Sequence, residues 1–129
     1  MGAVTRWIVD GMNVIGSRPQ ERWWLDRPAA MERLARRLRE LHESGGEEVE
    51  LFLDGRSIGR VHGAAGHVVV RFAGSGRDAA DRAIVERVRA DDDPGSLRVV
   101  TSDKVLADRV RRAGAGVVSS GEFLRRLER

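Results

Sequence analysis

Five aspartates stand where the chain leaves an apolar run or enters a helical one. Asp10 closes the run in W-I-V-D-G-M-N-V-I-G, Trp7 to Gly16. Asp54 closes F-L-D-G. Asp78 and Asp81 lie in G-R-D-A-A-D-R-A-I, and Asp103 lies in V-V-T-S-D-K-V-L-A-D. Ligands of open parallel sheets bind beyond the carboxyl ends of the strands. If these acids end strands of one such sheet, they share an edge and a cleft. Two carboxylates 4–5 Å apart repel by roughly 3–4 kcal/mol at an effective dielectric near 20. A domain stable by about 5–15 kcal/mol needs something to offset several such pairs. Protonation is one answer and a hard divalent cation is the other. Carboxylate oxygens suit Mg²⁺ or Mn²⁺.

Each acid also has an ordinary structural use. Asp78 with Asp81 three residues on has the form of a helix-capping box, and Asp103 with Ser102 reads as a cap. Asp10 and Asp54 each precede a glycine and can open a turn. Those uses do not require an acid after every one of the first four strands.

The elements that must position the acids follow from periodicity. Val4–Val9 is a short β-rich run, the first strand. Pro28–Glu43 is a helix whose Met31, Leu34, Ala35, Leu38 and Leu41 form one apolar stripe. Pro28 suits its first turn, and Gly45-Gly46 ends it. Val49–Leu53 is the second strand. Gly59–Gly66 is rich in glycine and reads as a loop. His67–Phe72 is the third strand and Ala73–Arg77 a turn. Asp78–Ala90 is a helix with Ala80, Ile84 and Val88 on one face. D-D-D-P-G, Asp91 to Gly95, breaks the chain, and its acids read as a solvated turn on the opposite edge. Leu97–Thr101 is the fourth strand, followed by a helix from Ser102-Asp103 to Arg112. Val117-Val118 is a last short strand, and Glu122–Leu127 is a closing helix. Near-continuous apolar strands separated by helices mean a parallel α/β sheet. The expectation is one doubly wound domain over residues 1–129.

Composition narrows the chemistry. The chain has 129 residues, net charge +3 and no cysteine, so it holds no disulfide and no thiolate metal site. Its one lysine is Lys104, and the other bases are arginine. That usage fits both a GC-rich codon bias and an arginine surface for phosphates. No 18-residue apolar stretch or signal-peptide core is present, so a cytoplasmic protein is expected. His42, His62 and His67 are scattered without zinc-ligand spacing. There is no G-x-x-x-x-G-K-[ST], and Gly74-Ser75-Gly76 follows the wrong strand for a dinucleotide fingerprint. Met12 stands where a D-x-D phosphatase needs an acid. No serine sits in a nucleophile elbow. Acids without a protein nucleophile point to metal-activated water attacking a phosphodiester.

The four acidic motifs, in their order and spacing, resemble the NYN domain of the PIN-like nucleases, and are similar to its YacP-like group. The resemblance spans nearly the whole chain. It implies a Rossmann-like three-layer sandwich with a mostly parallel central sheet. It also implies a divalent-metal-dependent endoribonuclease whose products carry 5′-phosphate and 3′-hydroxyl ends. By resemblance, Asp10, Asp54, Asp81 and Asp103 match the acidic metal and catalytic cluster. Asn13 matches the asparagine that orders it, and Asp78 and Ser102 are supporting members. A ribosome-linked role is known in that group, so the ribosome joins RNA as an expected partner. The chain is shorter than many YacP-like proteins between the second and third strands and before the fourth.

Further residues are RNA-binding candidates. Arg56, Arg60, His62 and Arg77 fall in loops on the acid edge, suited to a phosphate backbone or to solvated loop charge. Trp23 and Trp24 can stack on bases or pack as a lid on the first helix. Asp108 is read as a surface residue. The rival readings are an RNA- or ribosome-binding module that cleaves nothing and a metal-binding receiver-like switch. The switch is disfavoured because T-S-D-K does not place a phosphate-binding lysine after a strand.

Overall fold

The structure, a computed structural model, describes residues 5–128. Its strands are β1 (Arg6–Asp10), β2 (Glu48–Leu53), β3 (Val69–Phe72), β4 (Leu97–Val100) and β5 (Gly116–Val118). Its helices are α1 (Gly11–Gly16), α2 (Arg27–Gly45), α3 (Gly59–Ala65), α4 (Ala79–Arg89), α5 (Lys104–Arg112) and α6 (Ser120–Leu127). The strands form one all-parallel sheet in the order β3-β2-β1-β4-β5. The chain builds outward from β1 to β3 and returns to place β4 on the other side of β1. The point where strand order reverses therefore lies between β1 and β4, and this is where an open α/β sheet leaves a crevice.

Side chains alternate across the sheet, as the two-residue period of strands requires. Trp7, Val9, Leu51, Leu53 and Val100 meet α1, α2, α3 and α6 in one core. Ile8, Phe52, Leu97 and Val99 meet α4 and α5 in the other. The result is a three-layer α/β sandwich. The apolar stripe of α2 is buried from Ala30 to Leu38, while Leu41 is only partly buried. Gly46 ends the helix in the left-handed conformation, with φ at 66°.

Several expectations need correction. Val4 lies outside the described residues, and β1 runs one residue further than expected, through Asp10 itself. The glycine-rich segment after β2 is the helix α3, not a loop. Two glycines in seven residues lower its intrinsic propensity, but Val61 and Ala65, both fully buried, anchor it against α2, and packing outweighs propensity. A short helix, α1, starts immediately after Asp10, where a turn was a candidate.

Asp91 is not part of a solvated turn. Its side chain is 6% exposed and takes a two-pronged contact from Arg6, at 3.1 and 2.6 Å, with Arg87 at 2.8 Å. Arg87 also reaches Glu50, which Arg71 joins at 3.1 Å. This network ties β1, β2, β3 and α4 together at the amino-terminal edge of the sheet. Hydrogen bonds from Arg6 and Arg87 hold the Asp91 carboxyl well below the ordinary range. Asp92 and Asp93 are exposed.

Among the described residues, no helix is long and apolar enough to cross a membrane.

Candidate active site

Asp10 is the last residue of the central strand, and it is 5% exposed. Strand alternation places it with Ile8, on the side of the sheet covered by α4 and α5. The pairing of Val9 with Val100 makes Thr101 the next lateral neighbour of Asp10. Thr101 Oγ1 donates to Asp10 Oδ2 at 2.8 Å and accepts from the Asp103 backbone N–H at 3.1 Å. The incoming N–H fixes which way the hydroxyl proton points, so Thr101 presents a donor to Asp10. Asp10 Oδ1 takes no such bond. No fully buried side-chain oxygen among the described residues lacks a partner, so this second oxygen is not completely enclosed.

The glycine after Asp10 is required by close approach. A Cβ at Gly11 would meet Leu53 Cδ2 at 2.5 Å and the Phe52 carbonyl oxygen at 2.8 Å. The start of α1 can cross the end of β2 only without a side chain.

Asp54 follows β2 and is half-buried. Its loop is pinned to the loop after β3 by Gly55 and Gly74, which exchange backbone hydrogen bonds at 2.9 and 3.0 Å. Gly55, with φ at 91°, takes a conformation that suits glycine. Asp78 sits before α4 with φ at 60° and makes no capping bond, so the capping-box reading fails there. Asp81, in the first turn of α4, is half-buried. Asp103 does cap α5. Its Oδ1 accepts from the N–H groups of Val105 and Leu106 at 2.9 and 3.1 Å, which leaves the second carboxylate oxygen free of that duty.

The charges of these acids act on one another. Burial pushes the Asp10 carboxyl up to about 6, against the pull of the Thr101 hydrogen bond, and Asp81, Asp54 and Asp103 add to the rise. Asp81 is pushed up by burial, then by Asp103, Asp78 and Asp54, with Arg109 opposing. Among the described residues, none of the five acids has a basic partner within 4.0 Å. The contrast with Asp91 on the opposite edge is complete.

Asn13 braces the neighbouring loops. Its Oδ1 accepts from the Ser102 N–H at 2.8 Å and from Ser120 Oγ at 2.7 Å. Ser102 Oγ accepts in turn from the Ser120 N–H at 3.0 Å. Thus α1, the loop after β4 and the start of α6 close into one hydrogen-bonded unit beside Asp10. Thr101 and Ser120 were not among the residues singled out from the sequence. T-S-D offered a signal for Thr101, whereas Ser120 had none beyond its place at a helix start.

The basic and aromatic candidates are dispersed. Arg56 is exposed and lines a cleft of about 540 Å³ with Asp54, Arg27 and the Gly74–Gly76 turn. Arg77 is exposed beside Asp78. Arg60 lies 3.5 Å from Glu32 and 3.9 Å from Asp26, so carboxylates already face it. His62 shares a 2.8 Å hydrogen bond with Ser57 and packs on Phe72. Trp23 packs against the core with Arg27 over its ring at 5.9 Å, while Trp24 is 51% exposed.

Comparison with known proteins agrees with this geometry. Against curated proteins the chain finds no match. Among solved structures it is similar to a tryptophan-to-leucine mutant of Rae1 (YacP) from Bacillus subtilis. That match has 26% identity and a TM-score of 0.80, over 97% of this chain and 76% of the other. A second structure of Rae1 (YacP) from Bacillus subtilis matches at 23% identity and a TM-score of 0.73, over 98% and 74% of the two chains. The family model for the YacP-like NYN domain matches residues 7–129. With its parallel sheet, its acids at the strand ends and this match, the chain belongs to the YacP-like NYN domain family and has its nuclease-type fold.

Proposed function

We propose that this protein is a divalent-metal-dependent endoribonuclease acting at the Asp10 cleft. One observation carries the reading: a buried carboxylate at the switch point, held among three acids that raise its pKa, with no basic partner within 4.0 Å among the described residues. A net negative, oxygen-only donor set fits Mg²⁺ or Mn²⁺ in its chemistry. No three Asp, Glu or His side chains among the described residues are already gathered around one point. An ion would have to draw the acids together, with water and substrate phosphate as its remaining ligands.

Asp10, through its second oxygen, and Asp54, Asp81 and Asp103 would hold the ion. When bound, it would supply a water of lowered pKa and positive charge for the phosphodiester transition state. The chain's own residues do the rest. Thr101 holds Asp10 and Asn13 holds the Ser102 loop in place, which fixes one side of the donor set. A neighbouring carboxylate that does not hold the ion would accept the proton of the attacking water.

A second reading follows from the dispersed acids: an RNA-binding module, on the ribosome or elsewhere, that cleaves nothing by itself. Incubation with single-stranded RNA separates the two. Cleavage is expected with Mg²⁺ or Mn²⁺, to be lost in EDTA and restored by added metal. Fragments that persist after thorough chelation exclude the metal-dependent scheme, and binding without any fragments favours the module.

A further inference from the structure

The sheet edge carries a second cleft, on the far side of Asp10 from the one lined by Arg56. It measures about 430 Å³ and is lined by Thr101, Ser102, Lys104, Asp108, Arg111 and Ser119, among others. Lys104 and Arg111 are two turns apart on α5, so they share one face of the helix. Both are exposed, and among the described residues neither has a carboxylate within 4.0 Å. The one acid lining the cleft, Asp108, is 3.5 Å from Arg112. Among the described residues Ser119 finds no acceptor for its hydroxyl, while its oxygen accepts from the Glu122 N–H at 3.2 Å. Cations and hydroxyls around an open cleft suit a phosphate backbone.

Strand order fixes where this cleft lies. The Arg27 and Arg56 cleft sits over the ends of β2 and β3. The Lys104 and Arg111 cleft opens at the loops after β4 and β5 and runs down the flank of the sheet between α5 and β5, where Val117 lines it, so Lys104 stands nearest the acid edge and Arg111 about 10 Å further along α5. Asp10 lies between them at the end of β1. Adjacent strands are about 4.8 Å apart, so the loops at which the two clefts open, three spacings distant, are about 14 Å apart along the sheet edge. That is the length of roughly four stacked nucleotides at 3.4 Å each.

We propose that Lys104 and Arg111 form a phosphate subsite on the β4–β5 side of the acid cluster. The substrate is then a single RNA strand drawn across the sheet edge, gripped by Arg27 and Arg56 on one side and by Lys104 and Arg111 on the other. Both pairs are positioning residues. The proposal rests on the nuclease reading for the meaning of the acids between the clefts, but binding tests it independently.

The measurement uses the Asp10→Asn chain in EDTA, so that no RNA is cut, and fluorescent single strands of random sequence from two to ten nucleotides. Affinity should climb from two to about five nucleotides and then level off. Lys104→Ala with Arg111→Ala should weaken ten-nucleotide binding roughly five- to tenfold at 0.15 M salt. It should lower the slope of log affinity against log salt by about 1.4, at roughly 0.7 for each lost contact on a single strand. Arg89→Ala, on an exposed site at the end of α4, serves as the control and should change neither. Unchanged affinity and slope in the double variant overturn the proposal, as does a ten-base-pair duplex binding more tightly than the single strand, or no RNA binding at any length. Cleavage that survives chelation in the otherwise native chain sinks the metal reading and leaves this strand path standing.

Discussion

Replacing Asp10 by asparagine removes one charge from the acid edge while keeping an oxygen for the Thr101 hydroxyl. Burial and the neighbouring acids raise the folded-state carboxyl from 3.8 to about 6. The ionised form is thus disfavoured in the folded protein relative to the unfolded one. The folded state binds the proton more tightly, so stability falls as pH rises from about 4 to about 6 and stays low above that. The penalty is the difference of 2.2 pKa units, or about 3 kcal/mol at 1.36 kcal/mol per unit. The neutral amide of the variant carries no such penalty. In EDTA at pH 7.5, Asp10→Asn should therefore be more stable than the parent by about 2–3 kcal/mol, several degrees in Tm for a domain of this size. The gap should close between pH 6 and pH 4. Added Mn²⁺ should reverse the order, because the parent gains RT ln(1 + [L]/Kd), about 2.7 kcal/mol at a hundredfold excess, and the variant gains less. Paired thermal melts from pH 4.5 to 7.5, with and without Mn²⁺, read all three effects. If Asp10→Asn melts lower than the parent at every pH, and Mn²⁺ shifts both equally, Asp10 is only a backbone anchor and the reasoning collapses.

The remaining predictions concern the frame. Gly11→Ala should destabilise by about 2–3 kcal/mol, since its methyl would fall 2.5 Å from Leu53 Cδ2, while Gly16→Ala, with open space around it, should be near neutral by denaturant unfolding. Asn13→Ala leaves the Ser102 N–H and the buried Ser120 hydroxyl without their acceptor and should cost about 1–3 kcal/mol; equal unfolding midpoints would contradict that. Asp91→Asn should cost about 2–3 kcal/mol near neutral pH through its charge-assisted hydrogen bonds. Because the Asp91 pKa is depressed in the folded state, its stabilisation is present above about pH 4 and is lost as pH falls below that, so the deficit should shrink in acid melts.

The parallel sheet was legible because it is written locally. Strands of four to six apolar residues, helices with a stripe at i, i+3 and i+4, and Gly45-Gly46 at a helix end are signals that need no knowledge of neighbours. That the acids leave the sheet at one edge was legible for a related reason. Once β1, β2 and β4 are parallel, Asp10, Asp54 and Asp103 must emerge at one edge, whatever the side-chain packing. The family resemblance of the four motifs rested on the same order and spacing.

Tertiary structure decided what depends on partners distant in the chain. Gly59–Ala65 is helical because Val61 and Ala65 find α2, and nothing in a glycine-rich heptapeptide announces that. Asp91 in D-D-D-P-G looks solvated until Arg6, 85 residues away, closes on it. Gly11 reads as a turn glycine, yet its role comes from the crossing with β2. Asp78 and Asp103 both precede helices, and only Asp103 has the geometry to cap, because Asp78 enters α4 in a left-handed conformation. Thr101 and Ser120 are ordinary polar residues in the sequence. One becomes the hydrogen-bond donor to Asp10 and the other a brace for Asn13 through contacts spanning 91 and 107 residues. Hydrophobic period and strand direction are properties of short segments, so the sequence alone determines them. Which polar atoms meet depends on how whole layers pack, and that is settled only when the chain has closed on itself.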